Sequence, residues 1–125
     1  MLTVENVARH FRLAPATVRR KIRVGELRAN RINRDYRINW EDVWSCERGP
    51  MPGRGTLERY QLPLIDKVQL AGGLEVSIRT VERWLAEGLP TRNVFGSVRM
   101  NPVDVRDWLA LRLGLDLPLK VIIGN

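Results

Sequence analysis

The chain has 125 residues, 44% hydrophobic and 28% charged, a balance that suits one ordinary domain or two very small ones around a buried core. No apolar run reaches the ~18 residues needed to span a bilayer, the start from Met1 to Glu5 does not read as a signal peptide, and Cys46 is the sole cysteine, so no internal disulfide forms. A cytoplasmic protein is expected, with no membrane partner, because a reducing compartment suits a lone thiol, and the formal net charge is +7.

The charge is uneven and is carried almost entirely by arginine, since Lys21, Lys67 and Lys120 are the only lysines. Residues 1–50 hold 11 basic and 6 acidic side chains, whereas residues 51–125 hold 10 and 8. Arginine presents a planar fork of donors that matches phosphates and guanine edges.

Thr3 is a good N-cap, and Val4, Val7, Ala8 and Phe11 then fall at helical spacing, which predicts a first helix with one buried stripe. A second helix follows Ala14, with Pro15 at its first position and Gly25 placed to end it. Residues 28–31 and 36–39 read as the strands of a hairpin around Asn33, Arg34 and Asp35. Asn39, followed by Trp40, Glu41 and Asp42, opens a third helix with acid in its first turn. His10, the only histidine, lies on the basic first helix and is expected to be exposed.

Residues 49–63 begin with Gly and Pro punctuation and read as a linker. After it the pattern recurs. Thr17, Val18, Arg20 and Gly25 have counterparts Thr80, Val81, Arg83 and Gly88 at an offset of 63. Arg37, Asn39, Asp42 and Val43 find Arg99, Asn101, Asp104 and Val105 at an offset of 62. Gly96 and Ser97 take the place of the hairpin turn, and Ser77 caps the second helix better than Ala14 caps its counterpart. Gly72 and Gly73 fall inside the first helix of this second unit, which predicts a weak or short helix. The fold class expected is mainly α with small β-hairpin wings, as two tandem winged helix-turn-helix units over 1–48 and 64–110. A tail follows over 111–125. There Leu113, Leu115, Leu117, Leu119 and Val121 alternate with other residues, which predicts an edge strand. Leu115, Leu117, Leu119 and Val121 would then either pair with a second copy or fold back over the third helix.

With these residues in view, Leu2 to Glu47 resembles the excisionase-family helix-turn-helix, a relative of the MerR winged helix. The resemblance rests on Leu2-Thr3-Val4, Val7-Ala8, Ala16 to Arg20, Gly25-Glu26-Leu27, Arg37-Ile38 and Asp42-Val43. Residues 64–109 resemble it less closely. Ala14 departs from the usual Ser or Thr cap, and Asn33 from the usual wing glycine. The resemblance implies a double-stranded DNA binder serving as recombination directionality factor or transcription regulator of a phage or mobile element. Other roles in reach of the same motif are terminase small-subunit-like DNA recognition and a regulator that binds protein through its second unit and tail. A recombinase or another regulatory protein is a partner in the first and last of these.

If Val18 and Ile22 form the buried stripe of the second helix, Ala16, Arg19, Arg20 and Arg23 face outward, with Thr17 beside them, and offer themselves to a major groove. Arg28, Arg31, Arg34 and Arg37 run through the hairpin, with Arg34 at its tip suited to a minor groove or a phosphate. Arg37 either joins them or braces the hairpin to the third helix through Asp42, as Arg99 would through Asp104. The second unit offers Arg79 and Arg83 on the equivalent face and Arg92 near its hairpin, but Glu82 replaces an arginine, so weaker DNA contact is expected there. Trp40, Trp44, Trp84 and Trp108 sit in or beside helices, which points to core packing over base stacking. No residue spacing suits zinc or a phosphate-cradling glycine loop, so no cofactor, no metal and no catalytic group are expected.

Overall fold

A computed structural model describes residues 1–124. The chain is mainly α-helical with small antiparallel hairpins, and it runs twice through the order helix, helix, hairpin, helix. The first pass comprises α1 (Val4–Phe11), α2 (Pro15–Arg23), a hairpin of β1 (Asn30–Ile32) and β2 (Asp35–Arg37), and α3 (Trp40–Cys46). The second comprises α4 (Lys67–Leu74), α5 (Ile78–Ala86), a hairpin of β4 (Arg92–Val94) and β5 (Ser97–Arg99), and α6 (Pro102–Leu113).

The local chemistry explains these elements. Thr3 closes a capping box on α1, its hydroxyl accepting from the Asn6 amide while the Asn6 side chain accepts from the Thr3 amide, both at 3.0 Å. Val7, Ala8 and Phe11 are buried along the expected stripe. Ala14 supplies no side-chain cap to α2, and Pro15 occupies the first turn, where a missing N–H costs nothing. Asn33 takes φ 58° at the first hairpin turn, a conformation asparagine tolerates. That turn holds only Asn33 and Arg34, and Asp35 belongs to β2. The second turn falls one residue earlier than its glycine suggested, on Phe95 and Gly96, both at positive φ.

Each pass is closed by the same backbone bridge. Leu2 and Ile38 exchange N–H···O bonds of 2.7 and 2.8 Å, and Ile65 and Met100 exchange two of 2.9 Å. The passes are nevertheless not separate bodies. β3 (Glu47–Arg48), at the end of α3, pairs with β4 and makes a three-stranded sheet β3-β4-β5 across the boundary. One apolar core gathers Val7, Phe11, Val18, Ile38 and Val43 with Leu64 and Val94 from the second pass. The other gathers Leu70, Val81, Trp84, Val105, Leu109 and Ile122. Trp44 and Trp84 are buried and Trp40 stacks on Trp44, so the tryptophans are packing residues.

The segment 49–63 is irregular apart from a 3-10 turn, Arg59–Gln61, and that turn is tied down. Arg59 reaches Asp104 at 2.9 Å and Asp107 at 3.0 Å, and Trp44 donates to the Tyr60 carbonyl at 3.0 Å. Just beyond it, Arg12 pairs with Asp66 at 2.8 Å. Burial raises the Asp66 carboxyl, but the Gln69 amide and the Arg12 guanidinium outweigh it and hold its pKa below the usual carboxylate range.

The tail differs from its sequence reading. α6 ends at Gly114, and α7 (Leu119–Ile123) follows as a helix where an edge strand was expected. Leu119, Ile122 and Ile123 stand at helical spacing, and this short period overrides the alternation upstream. Ile122 is fully buried as α7 packs on α4 and α6, which takes Leu117, Leu119 and Val121 partly out of solvent and leaves Leu115 exposed. Within the chain the tail folds back on α4 and α6, and Asn125 lies outside the described residues.

Candidate nucleic-acid interface

The outward face of α2 emerges as its periodicity requires. Val18 is buried and Ile22 packs on the core, so Ala16, Arg19, Arg20 and Arg23 are exposed, with Thr17 half-buried at the edge. The first hairpin stands beside this face, and between them runs an open cleft of about 560 Å³. Arg19 and Arg23 from α2 and Arg31, Arg34 and Arg37 from the hairpin all line it, against Glu5 and Asp35 as the only carboxylates.

The arginines are not equally free. Arg19 is held by Glu5 at 2.9 Å across the α1–α2 corner. Arg37 donates to the Tyr36 carbonyl at 2.8 Å and lies 3.9 Å from Asp35, so it is steadied by its own strand and does not brace Asp42. Arg31 lies over the Tyr36 ring, 5.2 Å from its centroid, which orders the side chain while leaving its donors outward. Arg20, Arg23 and Arg34 are exposed and form no ion pair among the described residues.

Arg28 does not join this cleft. It lines a second one, about 720 Å³, on the other side of α2 at the seam between the two passes. Lys21, Arg48, Glu26 and Asp42 line the seam cleft as well, and the β4–β5 turn forms its far wall. Lys21 and Arg48 went unmarked in the sequence reading. Arg48 is the last residue of the first unit, next to the expected linker, and its strand pairing with Asn93 brings it to the seam. Cys46 also lines this cleft, and burial, aided by Asp42, Glu47 and Glu26, pushes its thiol pKa up to about 11, so it stays protonated at neutral pH.

Two expectations are overturned by burial. Arg92, expected on a DNA-facing surface, is 2% exposed. It pairs with Glu47, donates to the Pro50 carbonyl at 3.1 Å, and lies over the Tyr60 ring. His10, expected in solvent, is 3% exposed and bonds Glu47 from the other side at 2.8 Å through Nε2. The three form a buried polar chain that joins α1, β3 and β4. Its pairing could not be seen in sequence because its partners stand 37 and 45 positions apart.

The second pass has spent its hairpin on the same seam. Phe95 at the turn meets Phe11 edge-on at 5.8 Å, and Lys21 lies over its ring. Arg99 donates to the carbonyls of Phe11 and Arg12, both at 3.0 Å, and so braces the two passes to each other and does not touch Asp104. Asp104 is taken by Arg59 and Tyr60. On α5, Arg79, Arg83 and Ala86 are exposed, while Glu82 is paired with Lys67 at 3.4 Å. No helix among the described residues is long and apolar enough to cross a membrane. Compared with known proteins, the chain matches no family, no curated protein and no solved structure.

Proposed function

We propose that this chain binds double-stranded DNA, with α2 laid in the major groove and the β1–β2 hairpin on the adjacent backbone, in the manner of an excisionase-type regulator of a mobile element. The observation that carries this reading is the cleft in which Arg19, Arg23, Arg31, Arg34 and Arg37 converge beside an exposed helix face. Five guanidiniums against two carboxylates leave a local excess of three positive charges, and like charges so gathered are relieved by an anion of matching geometry. Arg20 stands on the outermost part of α2, where a bidentate contact to guanine discriminates by roughly 1–3 kcal/mol. Arg34, at the hairpin tip, reaches backbone or minor groove.

The first pass supplies most of the affinity in this reading, because the second has no free hairpin and a carboxylate, Glu82, on its outward helix. A role in recombination or transcription follows from the resemblance of residues 2–47 to excisionases. The test is fluorescence anisotropy of a labelled random duplex titrated at several salt concentrations. Binding is expected to weaken steeply with salt, with a log–log slope of about −3 or steeper, at about −0.9 per phosphate neutralised. Arg20→Ala and Arg23→Ala should each weaken binding more than Arg83→Ala. An absence of binding at low salt would remove the DNA reading, and equal losses in the three variants would remove the asymmetry between passes.

A further inference from the structure

We infer that the seam cleft is a second phosphate-binding surface for the same duplex, one wall of which is donated by the second half of the chain. This deepens the DNA-binding reading and rests on it. The placement follows from α2. At 100° per residue, Arg20 projects about midway between Arg19 and Arg23 on one flank and Lys21 on the other. Arg19 and Arg23 line the hairpin cleft and Lys21 lines the seam cleft, so the two clefts flank one outward crest. A helix seated in a major groove has a sugar–phosphate strand along each side, and a cleft on each flank faces one strand.

The charge fits this geometry. Arg28 and Arg48 are exposed in the seam cleft and form no ion pair among the described residues. Lys21 is occupied by Glu26 at 2.9 Å and by the Phe95 ring, so it shapes the wall and contributes little charge. Asp42 also lines the cleft and opposes an anion, which limits this flank to one or two phosphates. The β4–β5 turn closes the cleft. It is fixed there by strand pairing with Glu47 and Arg48 and by Phe95 against Phe11. The second hairpin thus serves the recognition helix of the first pass in place of its own.

The experiment uses the full chain and the same random duplex, and compares salt slopes for Arg28→Ala, Arg48→Ala, Asp42→Asn and Arg34→Ala, with circular dichroism checking that each folds. Arg28→Ala and Arg48→Ala should each make the slope shallower by about 0.9, one phosphate contact apiece. Asp42→Asn should tighten binding severalfold at fixed salt. If Arg34→Ala flattens the slope while Arg28→Ala and Arg48→Ala leave it unchanged, the seam inference is overturned and the DNA reading stands. If the unaltered protein does not bind the duplex at low salt, both are overturned.

Discussion

Burying Arg92 and Glu47 takes two charges out of water, at a desolvation cost of several kcal/mol each. That cost is offset by the groups around the pair: His10 bonds the far carboxylate oxygen, Pro50 accepts from the guanidinium, and Tyr60 covers its face, although one guanidinium nitrogen, Nη2, is buried without a hydrogen-bond partner among the described residues. Arg92→Ala would leave Glu47 buried without its cation. It should lower unfolding stability by about 3–5 kcal/mol in a denaturant titration. Arg34→Ala, on an exposed turn, should change stability by less than about 0.5 kcal/mol. Equal midpoints for the two variants would show that the buried pair holds nothing together. In sequence, Arg92 looks like any hairpin arginine. Its role depends on Glu47, whose own position is set by strand pairing that no local pattern encodes.

Among the elements, α4 contains the pair Gly72-Gly73, which by propensity alone weakens a helix by about 1 kcal/mol per residue relative to alanine. The two glycines differ in what surrounds them. A Cβ on Gly72 would meet open space, whereas one on Gly73 would stand 2.5 Å from the Val121 carbonyl oxygen of α7. Gly73 is therefore the point at which α7 can approach closely enough to bury Ile122, a burial that contributes about 1.5–3 kcal/mol. Thermal unfolding should separate them. Gly72→Ala is expected to raise the midpoint, by about 0.5–1 kcal/mol of stability, and Gly73→Ala to lower it as α7 is pushed away. Two increases of similar size would mean that α7 does not seat on α4. Helix α7 itself was hidden by the leucine alternation of residues 113–121, because one buried isoleucine at helical spacing outweighs a pattern with no neighbouring strand to pair with.

The whole molecule is built so that neither pass is complete alone. Leu64 and Val94 fill the first core, Arg92 satisfies Glu47, and Arg99 holds the carbonyls at the end of α1. A fragment of residues 1–48 should therefore show no cooperative unfolding, and the full chain should melt in a single calorimetric transition. Two well-separated transitions in the full chain would contradict a shared core. The seam also fixes α5 relative to α2, so any duplex engaged by both helices must meet them at one set spacing.

The sequence by itself determined the repeated order of helix, helix, hairpin and helix in the two passes and the outward face of α2. Caps, helical spacing and turn residues act within a few positions and are written in the chain. It also marked the outward arginines of α2, Arg19, Arg20 and Arg23, and those of the hairpin, Arg28, Arg31, Arg34 and Arg37, since helix periodicity and hairpin position are local, but not which of them share a cleft. The tertiary structure alone decided which arginines are surface and which are struts. Arg92 was buried, and Arg99 and Arg59 were held half-buried as struts, by partners 40 or more positions away in the chain. Arg28 and Arg48 were brought to one cleft by the pairing of β3 with β4. Long-range burial sets the fate of a charge because desolvation depends on everything packed around it, and that environment is assembled only when the two passes close on each other.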